Sequence, residues 1–194
     1  QRGQMGALDA LHGVAERMRS SDSGRLVRYD RNVVLWQGGN RLQADQAVID
    51  RNGRTLTAKG NVRTLFTEQA APGKGSGTPQ TTLVQAQALS YSDRDRAAEY
   101  SGGATMKRGG LDVTASTLRG LFAVMDGSTV LESATADGKV LIFQPAPGRT
   151  RKGTAEHAEY VVKEAKVVLS GGAPEFADSL KGTTRGRILT WFAD

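Results

Sequence analysis

Apolar residues fall at every second position in short stretches of this chain, and the stretches repeat. Ala47 and Ile49 alternate with Val48 and Asp50, Leu89 and Tyr91 with Ser90 and Ser92, Ala158 and Tyr160 with Glu159, and Leu189 and Trp191 with Thr190. A period of two belongs to a strand with one buried face. After polar turns at Arg51-Asn52-Gly53-Arg54 and Ser92-Asp93-Arg94-Asp95, the alternation resumes through Leu56 and Ala58 and through Ala98 and Tyr100; it returns later through Val167 and Leu169. The pattern predicts antiparallel strand pairs joined by tight turns.

The pairs carry a motif at fixed spacing. Ala44-Asp-Gln-Ala47-Val-Ile49 is followed by Gly60-Asn-Val62, Ala86-Gln-Ala-Leu89-Ser-Tyr91 by Gly102-Gly-Ala104, and Ala155-Glu-His-Ala158-Glu-Tyr160 by Gly171-Gly-Ala173. Each glycine follows the first alanine by sixteen residues. Ala115-Ser-Thr-Leu118 with Gly138-Lys-Val140 is a looser copy, and Gly186-Arg-Ile-Leu189-Thr-Trp191 is a truncated one. Val34-Leu-Trp36-Gln-Gly38-Gly-Asn40 reads as an upstream half copy. Such self-similarity predicts one elongated structure of stacked units. Glycine in each returning strand supplies a residue free to take positive φ, so a bulge is expected there that bends the strand. Repeated in every unit, the bend would fold a long sheet into two facing layers.

Two departures stand out. The third unit has Gly120 where others have Ile or Tyr, and its hairpin carries seven extra residues, Leu121 to Gly127. Residues 69 to 80 and 145 to 153 are rich in Gly, Pro and polar residues and read as surface loops. Near the amino end, Leu8, Leu11, Val14, Ala15 and Met18 fall at helical spacing, so residues 1–24 are expected as a tail or short helix over Ala7–Arg19. Residues 25–194 are expected as a single all-β domain of two facing antiparallel sheets built from repeated strand pairs, about 11–13 strands.

Composition refines this. With 38% hydrophobic residues the 194-residue chain can bury a core, while 24 glycines and an aromatic content of 6% fit many short strands with tight corners. The absence of cysteine excludes disulfides and thiol catalysis. No apolar run approaches the roughly 20 residues that span a bilayer. The chain starts at Gln1, which leaves room for a signal peptide or membrane anchor ahead of it. Lys and Arg number 26 against 20 acidic residues, a net charge of +6 compatible with anionic partners. A nucleic-acid surface would interleave aromatics with the basic positions, whereas Tyr91, Tyr160 and Trp191 belong to the apolar face, so no nucleic-acid partner is expected.

Catalytic chemistry has little to stand on. The two histidines, His12 and His157, lack partners of catalytic type, and His157 alternates to the face opposite Ala158 and Tyr160. Asp93 and Asp95 read as the polar crest of a turn. No metal-ligand spacing, nucleophile motif or phosphate-binding loop occurs. Catalytic residues, metals and cofactors are all expected to be none.

The strand phrases Leu42 to Asp50 with Leu56 to Val62, and Gly153 to Tyr160 with Val167 to Pro174, resemble the OstA-like repeat of the periplasmic lipopolysaccharide-transport proteins. Gly182 to Trp191 is similar to the strand that begins another unit in that family. The resemblance covers about residues 25 to 194. It implies a twisted open β-jellyroll in the periplasm, whose apolar groove carries the acyl chains of lipopolysaccharide or a similar amphipathic lipid, with basic turns meeting lipid phosphates. The small Ala44, Ala86, Ala115 and Ala155 would leave space between the layers. Expected to face that groove are Ile49, Leu56, Val62, Leu89, Tyr91, Leu118, Val140, Ile142, Tyr160, Leu169, Leu189 and Trp191.

The terminal strand Ile188 to Phe192 lacks a returning partner, so edge-strand pairing with other jellyrolls of the transport chain, or a head-to-tail homo-oligomer, is expected. The alternative is a non-catalytic repeat scaffold with a fully packed core that serves protein interaction alone.

Overall fold

The computed structural model describes residues 11–68, 80–125 and 128–192. Within them the chain forms fourteen strands, in chain order β1 (His12–Val14), β2 (Arg17–Ser21), β3 (Leu26–Gln37), β4 (Asn40–Asp50), β5 (Thr55–Glu68), β6 (Gln80–Ser92), β7 (Ala97–Arg108), β8 (Leu111–Met125), β9 (Ser128–Ala146), β10 (Arg149–Val161), β11 (Lys166–Ser170), β12 (Glu175–Asp178), β13 (Gly182–Arg185) and β14 (Ile188–Phe192). All belong to one antiparallel sheet. β1 and β2 both pair with β3, β11 and β12 both with β10, and β14 and β13 with β11 and β12 respectively. These three couples are halves of kinked strands, so the fourteen segments make eleven kinked strands in simple meander order.

Every pairing from β3–β4 to β9–β10 slips register at one level, at Asp30/Val33, Gln43/Gln46, Lys59/Val62, Gln85/Ala88, Ser101/Ala104, Thr114/Thr117 and Ala155/His157. The slips coincide with pairs of left-handed residues, Gly60-Asn61, Gly102-Gly103, Gly138-Lys139 and Gly171-Gly172. An added Cβ on Gly60 would lie 2.2 Å from Asp45 Oδ2, and one on Gly102 would lie 2.6 Å from Gln87 Cβ. Glycine is therefore required there twice over, for the positive φ and for the close approach of the polar residue opposite. The aligned kinks form a spine along which the sheet folds, bringing its two halves face to face.

Packing across the fold proves the two layers. Phe66 of β5 meets Phe122 of β8 with ring centroids 5.4 Å apart, and Phe176 of β12 meets Trp191 of β14 at 4.6 Å. One continuous buried apolar cluster runs between the layers from Val33 to Trp191.

Several expectations need correcting. The helix over Ala7–Arg19 does not form where it can be seen: His12–Ser21 is β1 and β2, and Ala7–Ala10 lie outside the described residues. Among the described residues the sheet begins at His12 rather than at residue 25. The residues at helical spacing do not share one face: Leu11 and Ala15 pack against the core, Val14 and Met18 are exposed, and the register steps from Val14↔Val34 to Arg17↔Asp30 across a kink. Residues 145–153 are not a loop either; β9 and β10 run through Pro145 and Arg149 and leave only a tight turn at Pro147-Gly148. Of the 69–80 loop, only Gln80 is described, as the first residue of β6. Gly38-Gly39 is the β3–β4 turn and not the bend of a half copy. The bend of that unit is Arg31-Asn32, at φ 65° and 50°.

That last correction reveals a copy hidden in the sequence. Ala15-Glu-Arg-Met18 is the same phrase as Ala44-Asp-Gln-Ala47, and Arg31 follows Ala15 by sixteen residues. Asn32 Nδ2 donates to Glu16 Oε1 at 2.6 Å, as Asn61 Nδ2 donates to Asp45 Oδ2 at 3.0 Å. Arg in place of Gly hid the unit.

Candidate functional site

The inner face of the first layer carries one row of side chains that can be followed from strand to strand. Its members are Val27, Ile49, Leu56, Tyr91, Ala98, Gly120, Ala134, Tyr160, Val167 and Trp191, each directly opposite the next. The row is bulky at both ends and small in the middle. Ala98, Gly120 and Ala134, on three successive strands, leave a gap.

A small apolar hollow, partly open to solvent, lies over Gly120 and Ala134 of that row. Gly120 and Ala134 are on its floor, Tyr100 and Leu118 flank it, and Phe66, Val84 and Met106 face it from the second layer. Phe122 and Leu131 cover it from the extended β8–β9 hairpin. A second small hollow shares Met106, Leu118 and Ala134 with the first and continues past Ile142, Ala158 and Tyr160 toward Val167. The two form one apolar seam running toward the carboxy-terminal end of the sheet. A larger, shallow concavity of about 900 Å³ lies instead on the spine, among Glu16, Arg31, Asn32, Asp45 and Lys59. Its walls are polar and ion-paired, so it offers an acyl chain nothing.

Polar and charged groups gather at the free edges of the two layers, away from the spine. On the second layer the innermost apolar residues give way at the edge to the buried Gln37, Thr82, Arg108, Gln144 and Asp178. Arg108 Nη1 donates to Thr82 Oγ1 at 2.7 Å, and Arg151 Nη1 to Gln144 Oε1 at 3.2 Å. Asp178 is clamped by Arg149, whose Nε lies 3.0 Å from Oδ2, and by the backbone N–H of Leu180 at 3.0 Å. Hydrogen bonds from Arg149 hold the Asp178 carboxyl well below the usual carboxylate range, against a smaller opposing effect of burial. On the first layer the edge turns carry Arg51, Arg54, Arg94 and Arg96, with Arg54 Nε bonded to Asp93 Oδ2 at 2.9 Å. The groove is thus apolar within and basic at its rim.

Residues 83–187 match the family described as LptA/(LptD N-terminal domain) LPS transport protein. The match covers more than half the chain. This chain belongs to that family. No curated protein matches it. The fold is similar to that of LptH, the LptA-homologous periplasmic component of the lipopolysaccharide transport device from Pseudomonas aeruginosa. The TM-score is 0.51 with 16% identity, covering 69% of this chain and 86% of that one. The family match takes in the units at Ala86, Ala115 and Ala155. The units at Ala15 and Ala44 lie outside it and repeat the same kinked geometry.

Of the twelve residues expected to face the groove, Tyr160 and Leu189 are half-buried and the other ten buried. Only Leu118, Ile142 and Tyr160 line the cavities; Ile49, Leu56, Val62, Leu89, Tyr91, Val140, Leu169, Leu189 and Trp191 are packed around them. Sequence reasoning missed Phe66, Val84, Met106, Phe122 and Leu131. The first four continue the alternation of their own strands and could have been found. Leu131 could not, because a second register slip, between Leu121↔Ser133 and Phe122↔Leu131, skips Glu132 and reverses the phase of β9 relative to Ala134 and Ala136.

Of the groups weighed for chemistry, His157 Nδ1 lies 2.7 Å from Asp137 on the outer face, and His12 stacks on Trp36 at 5.4 Å. The hydroxyl of Tyr91 is pushed up to about 12 by burial and by Asp93. Among the described residues no cluster of three His, Asp or Glu could hold a metal.

Proposed function

We propose that this chain binds lipopolysaccharide by the acyl chains of its lipid A part and passes it across the periplasm, acting as a carrier and not as an enzyme. The observation that carries this reading is the gap at Ala98, Gly120 and Ala134. A scaffold with a packed core has no reason to place small residues side by side and leave an apolar hollow over Gly120 and Ala134 under an extended hairpin. Each acyl methylene buried between the layers contributes about 0.8 kcal/mol, so a lipid can be held without a covalent step. Leu118, Ile142 and Tyr160 touch the chain, and the nine packed residues form the bed that keeps the layers apart. Arginines at the rim meet the phosphates, which places a charged head outside and an apolar tail within.

Transfer needs a path between neighbouring jellyrolls. The open edges of β1–β2 and of β13–β14 are complementary halves of one such junction, and Ile188 and Phe192 are exposed on the latter. Pairing of β14 with the amino-terminal edge of another jellyroll of the transport chain, or of a second copy, would join the apolar seams end to end. The carrier reading is tested by extracting lipid from the purified protein for mass spectrometry and by titrating it with lipopolysaccharide against a phospholipid control. Retention and saturable binding of lipopolysaccharide are expected. No bound lipid and no binding at micromolar concentrations would favour the scaffold.

A further inference from the structure

Exposed apolar side chains gather at one corner of the second layer's free edge. Leu180, in the turn at residues 179–181 between β12 and β13, is 71% exposed, more than any other large hydrophobic residue among those described. The turn beside it, Pro147-Gly148 between β9 and β10, follows the exposed Pro145 and Ala146. Phe143 of the same strand is 39% exposed on the outer face, directly opposite Lys152, which lies opposite Ala177 in turn.

Leu180 is held out by its surroundings. Its N–H donates to Asp178 Oδ1 at 3.0 Å, and the Lys181 N–H to the Asp178 carbonyl at 3.2 Å. Ser179 ties the turn to β10 twice: its N–H donates to the Thr150 carbonyl at 2.9 Å, and its Oγ accepts from the Thr150 N–H at 2.9 Å. Arg149 anchors Asp178 beneath, with Nε 3.0 Å from Oδ2. A turn bonded in this way needs no apolar side chain at its tip, where Gly, Asn, Asp or Ser is usual. Proline at 145 and 147 fixes the neighbouring backbone as well. The apolar groups are thus ordered before anything touches them, which lowers the entropic cost of burying them against a partner.

Charge selects the partner. Arg149 and Arg151 are engaged with Asp178, and Lys107 with Asp112. Lys152 and Lys181 are exposed and form no ion pair among the described residues. Proud apolar side chains flanked by free ammonium groups match the interface of an anionic bilayer, where carbon enters the acyl boundary and the cations stay level with the phosphates. A protein interface would instead centre on a continuous packed patch depleted of lysine.

We propose that this corner docks the protein on the surface of an anionic phospholipid bilayer, with Leu180, Phe143 and the prolines as apolar contacts and Lys152 and Lys181 as cationic ones. Docking there sets the rim of the groove against the membrane. The proposal does not depend on the acyl-chain seat.

The test is sedimentation of the full chain with vesicles of phosphatidylglycerol and phosphatidylcholine in equal parts, against vesicles of phosphatidylcholine alone. Stronger sedimentation is expected with the anionic vesicles, weakening as salt is raised. Leu180→Ser keeps a residue suited to the turn and should lower the partition coefficient about tenfold. Lys152→Gln combined with Lys181→Gln should lower it on the order of twentyfold on anionic vesicles and leave neutral ones unaffected. Both variants should melt with the parent, since the altered side chains are exposed, and should titrate with lipopolysaccharide as the parent does, which separates docking from loading of the groove. No sedimentation with anionic vesicles, or undiminished sedimentation of Leu180→Ser, overturns the proposal. Equal sedimentation with both kinds of vesicle, indifferent to salt, also overturns it and assigns the association to lipid entering the groove. Reduced self-association of Leu180→Ser in sedimentation velocity, with vesicle binding unchanged, overturns it in favour of a contact with a second copy.

Discussion

Filling the gap in the first-layer row separates a lipid seat from a closed core, and Gly120→Ile is the substitution that fills it. Ile is the type found at Ile49 in the same row, and Gly120 is not among the glycines with positive φ, so the backbone accepts a side chain. A Cβ added there comes 3.1 Å from Leu131 Cδ1 and 3.5 Å from Phe122 Cζ, both ends of movable side chains. Burying on the order of 100 Å² of new apolar surface contributes about 2.5 kcal/mol, and overpacking removes about 1–3 kcal/mol. Net stability should therefore change by no more than about 1 kcal/mol, a shift of roughly 2–4 °C in melting temperature for a domain of this size. Lipid should suffer far more. The added four carbons displace about as many methylenes, costing a bound chain about 3 kcal/mol, or roughly a hundredfold in affinity. Thermal melts and a titration with fluorescently labelled lipopolysaccharide read the two effects separately, and Gly120→Ala should fall between parent and Ile variant. A folded Gly120→Ile protein that binds lipopolysaccharide within about threefold of the parent would refute the assignment of the seat to this gap.

Leu169 is fully buried and lies away from the cavities, so Leu169→Asp should cost several kcal/mol by placing an unpaired charge in the core; an unchanged denaturation midpoint would contradict its inward packing. Gly60→Ala and Gly103→Ala both force a side chain into the left-handed region, at φ 76° and 84°. Only the first also meets a neighbour, at 2.2 Å from Asp45 Oδ2, whereas nothing lies within 4 Å of the second. Gly60→Ala should therefore destabilise by clearly more than the roughly 1–2 kcal/mol expected of Gly103→Ala, and Asp45→Ala should recover the excess; equal losses in chemical denaturation would show that close approach at the kink is unimportant. The folded-state pKa of Asp178 is depressed, so its contribution is complete above the unfolded value near 4 and is lost as pH falls toward the lower folded value. Melting temperature measured from pH 6 to 2 should decline below about pH 4, and Asp178→Asn should flatten that limb; an identical acid profile in the variant would exclude the clamp as a source of it.

The strand pattern, the meander and the kinks were written in local sequence, because each depends on a few neighbouring residues. Alternation at Leu89 and Tyr91 assigns their faces, and a glycine sixteen residues after an alanine marks the bend, since both follow from the backbone of one strand pair. Where a residue other than glycine holds the left-handed bend, as Arg31 does, the same unit passed unseen. The cavity belongs to tertiary structure. Ala98, Gly120 and Ala134 are each unremarkable small residues within their strands, and Gly120 stood out only as a departure from its repeat. Their adjacency arises from cross-strand register, which adds the turn lengths and bulges of three strands together. Leu131 roofs the gap because one further slip, at Glu132 of β9, turns it inward. Phe66 and Phe122 meet because folding at the spine sets two layers opposite each other across residues that no periodicity links. Local pattern decides which way a side chain points; only the summed register of the folded sheet decides what it faces.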